Sequence, residues 1–148
     1  MKLTTAQIGK CGELLVQQKL LYHGVDSAHL TTDAGIDLVA YSTRNGQPVT
    51  IQVKSNLKAK PAGGKGQPAV DWWVPENCAA DIVAFVDLST NRTWLLTMKD
   101  VREAKQQLSK KGFHVCMYVK YIPKKTGKKR PAIEFEKYLL EKRIGDFF

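Results

Sequence analysis

Asp37, Gln52 and Lys54 are the residues of this chain whose types and spacing suggest chemistry. They interrupt two apolar, strand-like runs, Gly35-Ile36-Asp37-Leu38-Val39-Ala40-Tyr41 and Val49-Thr50-Ile51-Gln52-Val53-Lys54-Ser55. Alternate residues of a strand point to the same side, so Gln52 and Lys54 share one face while Ile51 and Val53 share the other. A carboxylate, an amide oxygen and an ammonium on adjacent strands make a seat for a divalent cation beside a phosphate.

The elements that must position these groups are legible around them. The link Thr43-Arg44-Asn45-Gly46-Gln47-Pro48 carries an Asn-Gly turn signal, which predicts an antiparallel hairpin of the two strands. Upstream, Thr4-x-x-Gln7 predicts a capping box opening a helix to about Tyr22, with Ile8, Cys11, Gly12, Leu15 and Tyr22 toward the core and Gly24 as its stop. Gly12 is costly within a helix unless the backbone approaches something closely, and Glu13 follows it.

Downstream, 80–88, 93–98 and 115–122 read as strands, 99–111 as a helix stopped by Gly112, 133–138 as strand or helix, and 139–144 as helical. Ser27 to Thr31 is a weaker strand, and Asp33 reads as a turn former. Trp72 and Trp73, adjacent on a strand, point opposite ways, which leaves at most one to stack on a base and favours packing for the pair. The order of elements predicts an α/β (α+β) fold with a central mixed β-sheet flanked by helices. One domain over residues 1–148 is expected, with basic loops at 57–68 and 123–131.

Charge narrows the partners. Lys and Arg number 23 against 14 Asp and Glu, a formal net charge of +9, and such an excess favours polyanions, nucleic acid first. The loop 57–68 holds Lys58, Lys60 and Lys65 without an acid, and Lys120 to Arg130 contains six basic residues and no acid. Lys58, Lys60, Lys65, Lys124, Lys125, Lys128, Lys129 and Arg130 are the candidate DNA-phosphate contacts, with Ser55 beside Lys54 as a further one. No apolar run is long enough for a membrane helix and no signal segment is evident, so a cytoplasmic, nucleoid-associated protein without membrane partners is expected. Three scattered cysteines and three dispersed histidines argue against a disulfide framework or a zinc site.

Asp37, fourteen residues, then Gln52-Val53-Lys54, preceded by the helical Glu13, resembles the PD-(D/E)XK nuclease superfamily, the restriction-endonuclease-like fold. In character the chain is closest to small intron-encoded homing endonucleases or archaeal Holliday-junction resolvases. It departs from the pattern at Gln52, an amide where the family usually has a carboxylate, and at Ile36 in place of proline. The resemblance implies a Mg2+-dependent DNA endonuclease, Mn2+ being a possible substitute, with Glu13, Asp37, Gln52 and Lys54 as catalytic residues. Asp37, Gln52 and the Val53 backbone carbonyl would hold the metal, with Glu13 reaching it through water. Lys54 would stabilise the phosphate or orient the attacking water. Cutting both strands at a site implies a homo-oligomer, dimer or tetramer. The alternatives are a structure-specific junction resolvase and a DNA-binding module that keeps the fold without catalysis.

Overall fold

The computed structural model describes residues 2–32, 34–120 and 130–148. The capping box forms as the sequence predicts. Thr4 Oγ1 accepts from the Gln7 N–H (3.2 Å), Gln7 Oε1 accepts from the Thr4 N–H (2.8 Å), and helix α1 runs Thr5–Tyr22. Its buried line is Gly12, Val16 and Leu20, a strict i, i+4, i+8 stripe. The expected inward residues Cys11 and Tyr22 are exposed instead. Tyr22, 78% exposed, falls on the last turn, where the helix has passed the sheet that it covers.

The remaining elements are β1 (Asp26–His29), β2 (Leu38–Tyr41), β3 (Val49–Asn56), β4 (Lys60–Pro61), β5 (Pro68–Val74), β6 (Ile82–Asp87), β7 (Arg92–Leu96), α2 (Met98–Ala104), β8 (Gln107–Ser109), β9 (Gly112–Tyr118), β10 (Arg130–Pro131) and α3 (Leu140–Arg143). Single turns of 3-10 helix span Ala62–Gly64 and Ile144–Asp146, and a longer one spans Ala132–Tyr138. The strands form two sheets. The first is mixed, in the order β1-β2-β3-β6-β7, with β3 and β6 parallel. The second runs β10-β9-β5-β4, with β8 on β9. The chain leaves the first sheet after β3, builds β4 and β5 in the second, and returns as β6.

Three layers result. Alternation along β6 sends Ile82, Ala84 and Val86 to a cluster with Val16, Leu20, Leu140, Ile144 and Phe148, contributed by α1 and the C-terminal segment. It sends Val83 and Phe85 the other way, against Val70, Trp72 and Val74 of β5 and Phe113, Val115 and Met117 of β9. Trp72 stacks on Phe85 at 4.5 Å and 5° between planes. A strand covered on both faces reads as an unbroken apolar run, as Ile82 to Val86 does. This mixed architecture with flanking helices is the fold class expected from the sequence.

Several expected boundaries shift. The hairpin of β2 and β3 is antiparallel as predicted, with Leu38 opposite Ile51, but β2 begins one residue after Asp37. The expected helix over 99–111 ends at Ala104, and the chain turns into β8. Gly112, at φ 103°, is the turn of the β8–β9 hairpin, where any Cβ would stand 2.1 Å from the Val74 carbonyl oxygen. The segment 57–68, expected as a free basic loop, is partly tied to the second sheet. There β4 pairs with β5, and hydrogen bonds from the Ala62 N–H to the Gln67 carbonyl (3.0 Å) and from the Gly66 N–H to the Ala62 carbonyl (2.7 Å) close the turn. Among the described residues, no helix is long and apolar enough to cross a membrane.

Candidate active site

Asp37 sits just before β2 begins, and it extends the ladder by one rung of each kind. Its N–H donates to the Ile51 carbonyl at 2.9 Å, and its Oδ2 accepts from the Val53 N–H at 2.6 Å. The carboxylate thus takes the place that a strand carbonyl would fill, which fixes its orientation against β3. In an antiparallel pairing a residue's N–H and C=O point to the same neighbour. The Val53 carbonyl therefore points to the same edge as its N–H, toward the Asp37 side.

Glu13 reaches this place because α1 lies directly on β3. A Cβ on Gly12 would stand 1.7 Å from Ser55 Oγ and 2.8 Å from Ser55 Cβ. Only glycine permits this approach, which accounts for a residue otherwise unfavourable in a helix. Glu13 and Asp37 line one cleft of about 210 Å³, together with Lys10, His29, Thr31 and Thr32. Glu13 is paired within it to the Lys10 ammonium and to His29 Nε2, the latter at 2.9 Å, and its side chain is 17% exposed. Lys10 and His29 are missing from the sequence-based site. Lys10 lies three residues before Glu13, a spacing that places it on the same helix face, whereas His29 arrives from β1 and no local signal announces it.

Gln52 is buried, 7% exposed, on the opposite face of β3 from Ile51 and Val53. Its Oε1 accepts from the Cys78 thiol at 3.2 Å, and its Nε2 lies toward Gly35. Lys54 follows on the same face, half-buried, and forms no ion pair with a described residue. Ser55, expected near phosphate, points the other way: its Oγ is buried beneath Gly12 and has no hydrogen-bond partner among the described residues.

The basic residues separate. Lys58, Lys60 and Lys65 are exposed on or beside the β4 turn, and Lys60 borders a cleft on the second sheet instead of the Asp37 cleft. Arg130 is tied to Glu134 (3.3 Å) and to the Glu103 carbonyl (3.0 Å). Lys124, Lys125, Lys128 and Lys129 lie outside the described residues, as does Asp33.

The Asp37 and Glu13 carboxylates line the cleft, and the Val53 carbonyl lies on the strand edge to which Asp37 is bonded. These are hard oxygen donors, which suit Mg2+, an ion commonly held by one or two carboxylates and water. Among the described residues no three His, Cys, Asp or Glu gather closely enough to form a denser metal cluster.

No protein-family model matches the chain, and no curated protein matches its sequence. Among solved structures it is similar to a bacterial homing endonuclease, I-Ssp6803I, at 14% sequence identity, over 98% of this chain and 96% of that chain, with a TM-score of 0.64. At that identity the likeness is one of fold: this chain has the fold of a homing endonuclease across nearly its whole length.

Proposed function

We propose that the protein is a magnesium-dependent DNA endonuclease of the PD-(D/E)XK type, cutting at specific sites in duplex DNA. The observation that carries this reading is the Asp37 carboxylate fixed on the Val53 N–H in a cleft shared with Glu13, with Lys54 one residue further along β3. The fold shared with a homing endonuclease and the net charge of +9 support it.

Asp37 and the Val53 carbonyl would hold Mg2+, with Glu13 reaching it through water. The ion would lower the pKa of a bound water and polarise a phosphate oxygen. The rest falls to the chain's own groups. The Val53 N–H keeps the Asp37 carboxylate from turning away. The Lys54 ammonium neutralises charge on the scissile phosphate or orients the attacking water. Lys10 and His29 hold Glu13 in the cleft before substrate arrives. Gln52 supplies an amide in place of a second carboxylate, and its oxygen, engaged by Cys78, is the donor least directed toward Asp37. A symmetric homo-oligomer would bring a second site to the other strand.

Incubation with supercoiled, linear and four-way-junction DNA, with and without Mg2+, tests the reading. Metal-dependent cutting of duplex DNA is expected, and Asp37→Ala or Lys54→Ala should each lower its rate at least about a hundredfold. Cutting confined to the junction would favour a resolvase. Absence of metal-dependent cutting on all three substrates would overturn the enzyme reading and leave a DNA-binding module.

A further inference from the structure

Three polar side chains share the face of β3 that turns away from α1, and the fold uses them unequally. Asn56 donates its side-chain amide to the Asp71 carbonyl and so ties β3 to the second sheet. Lys54 is half-buried and forms no ion pair with a described residue. Gln52 is the most buried of the three, 7% exposed, and only one end of its amide is engaged among the described residues. Its Oε1 accepts from the Cys78 thiol at 3.2 Å. Its Nε2 lies 3.8 Å from the place a Cβ on Gly35 would take, two residues before Asp37. A primary amide has two hydrogens to donate there, and a buried donor left unmet lowers stability.

Cys78 is held where it decides which end of the amide points where. It lies between β5 and β6, with its N–H donating to the Pro75 carbonyl at 3.1 Å, and its side chain packs at the margin of the cluster between the sheets. By giving its hydrogen to the oxygen, the thiol leaves the amide hydrogens on the Gly35 side.

We propose that Gln52 donates a hydrogen bond to a non-bridging oxygen of the scissile phosphate, and that Cys78 is the positioning residue that fixes it for this task. This role rests on the nuclease reading and deepens it, assigning Gln52 to the substrate instead of the metal. Phosphate oxygens are acceptors, so the Asp37 and Glu13 carboxylates can approach them only across a cation. An amide N–H meets them directly, and one fixed in advance needs no reorganisation as charge builds up. Lys54 stands two residues along the same face, about 7 Å by the rise of a strand, and offers a charged donor beside the neutral one. A carboxylate in place of Gln52 has no hydrogen to give, and burial this deep penalises its charge.

Single-turnover cutting of duplex DNA with Mg2+, and calorimetric titration of the protein with Mn2+ alone, test this role. Gln52→Ala should lower the cleavage rate about a hundredfold. Its Mn2+ affinity should stay within about twofold of wild type, well short of the roughly tenfold loss that disturbing a metal's ligands causes. Cys78→Ala should lower the rate about tenfold, and Cys78→Ser, which keeps a donor, should restore most of it. Cys78→Val, similar in size and without a donor, takes over if the alanine variant fails to fold by circular dichroism. In a Gln52→Ala background the loss of the thiol should cost nothing further, because it acts through the amide. A loss of about tenfold or more in Mn2+ affinity in Gln52→Ala makes the residue a metal ligand and overturns the inference. So does a wild-type rate in the variants without the thiol donor, or an equal loss from them when Gln52 is already removed. Wild-type protein that cuts while the variants match it defeats the inference alone. Wild-type protein that cuts no DNA with Mg2+ defeats the nuclease reading, and the role of Gln52 with it.

Discussion

The two sheets are built from similar strands but live in different surroundings. The first lies between helices and the second sheet, so β6 is buried along its whole length and β3 is half-buried chiefly toward its C-terminal end. The second is packed against the first on one face, and on its outer face Ala69, Cys116 and Tyr118 form only a small cluster with Ala62 of the β4 turn, next to the exposed Asp71. In the covered sheet a polar residue is an anomaly, and Asp37, Gln52 and Lys54 announce themselves. On the outer face of the second sheet a polar residue is ordinary, and nothing in the local pattern announces the pairing of Asp71 with His114. The visibility of a functional group in a sequence therefore depends on how improbable its type is in that environment.

If the asymmetry between the sheets is energetic as well as geometric, its largest effect should appear where the two layers meet. Phe85→Ala removes a fully buried ring that stacks on Trp72, and a loss of about 3–5 kcal/mol is expected in urea denaturation. Trp73→Ala, on the outer face of the second sheet, should cost about 1 kcal/mol, chiefly the stack on His114. Equal losses would break the comparison.

The next effect lies on the helix side of the covered sheet. Gly12→Ala forces a methyl into Ser55, and a loss of about 1–3 kcal/mol is expected. Adding Ser55→Ala removes the nearest atom but leaves the Ser55 Cβ position at 2.8 Å, so part of the loss should return. A double-mutant cycle with no coupling would show that α1 does not rest on β3 through this contact.

The smallest effect concerns the C-terminal clasp. Asp100 caps α2 and pairs with Arg143 at 2.9 Å. Burial works to raise its carboxyl pKa, but hydrogen bonds from Thr97 and Arg143 outweigh this and hold it below the usual carboxylate value. A carboxyl with a depressed folded pKa adds stability above its unfolded pKa, and that stability disappears as pH falls through the folded value. Melting temperature should therefore drop below about pH 4. Asp100→Asn, which keeps the acceptor without the charge, should flatten part of that decline. An unchanged acid profile would remove Asp100 from the account.

What is readable in the sequence follows the same division. Strand β3 is expected over 49–56 and occupies Val49–Asn56, because its ends are set by a turn on one side and a Gly/Pro-rich segment on the other. The close approach at Gly12 is also legible, since a glycine in a helix needs a reason. The end of α2 is not, because Gln107, Leu108 and Ser109 are compatible with a helix and only pairing with β9 makes them a strand. The Glu13–His29 pair, and the engagement of Gln52 by Cys78, join residues distant in the chain, and no local pattern encodes them.

The route of the chain has a consequence for how the protein comes into being. Strand β3 gains its parallel neighbour only after the polypeptide has detoured through β4 and β5, and parallel pairings that close such loops form slowly. Until β6 returns, the strand bearing Gln52 and Lys54 has an unpaired edge. A chain emerging from the ribosome should therefore carry a complete first helix and hairpin while one edge of its central strand still waits for a neighbour made some thirty residues later.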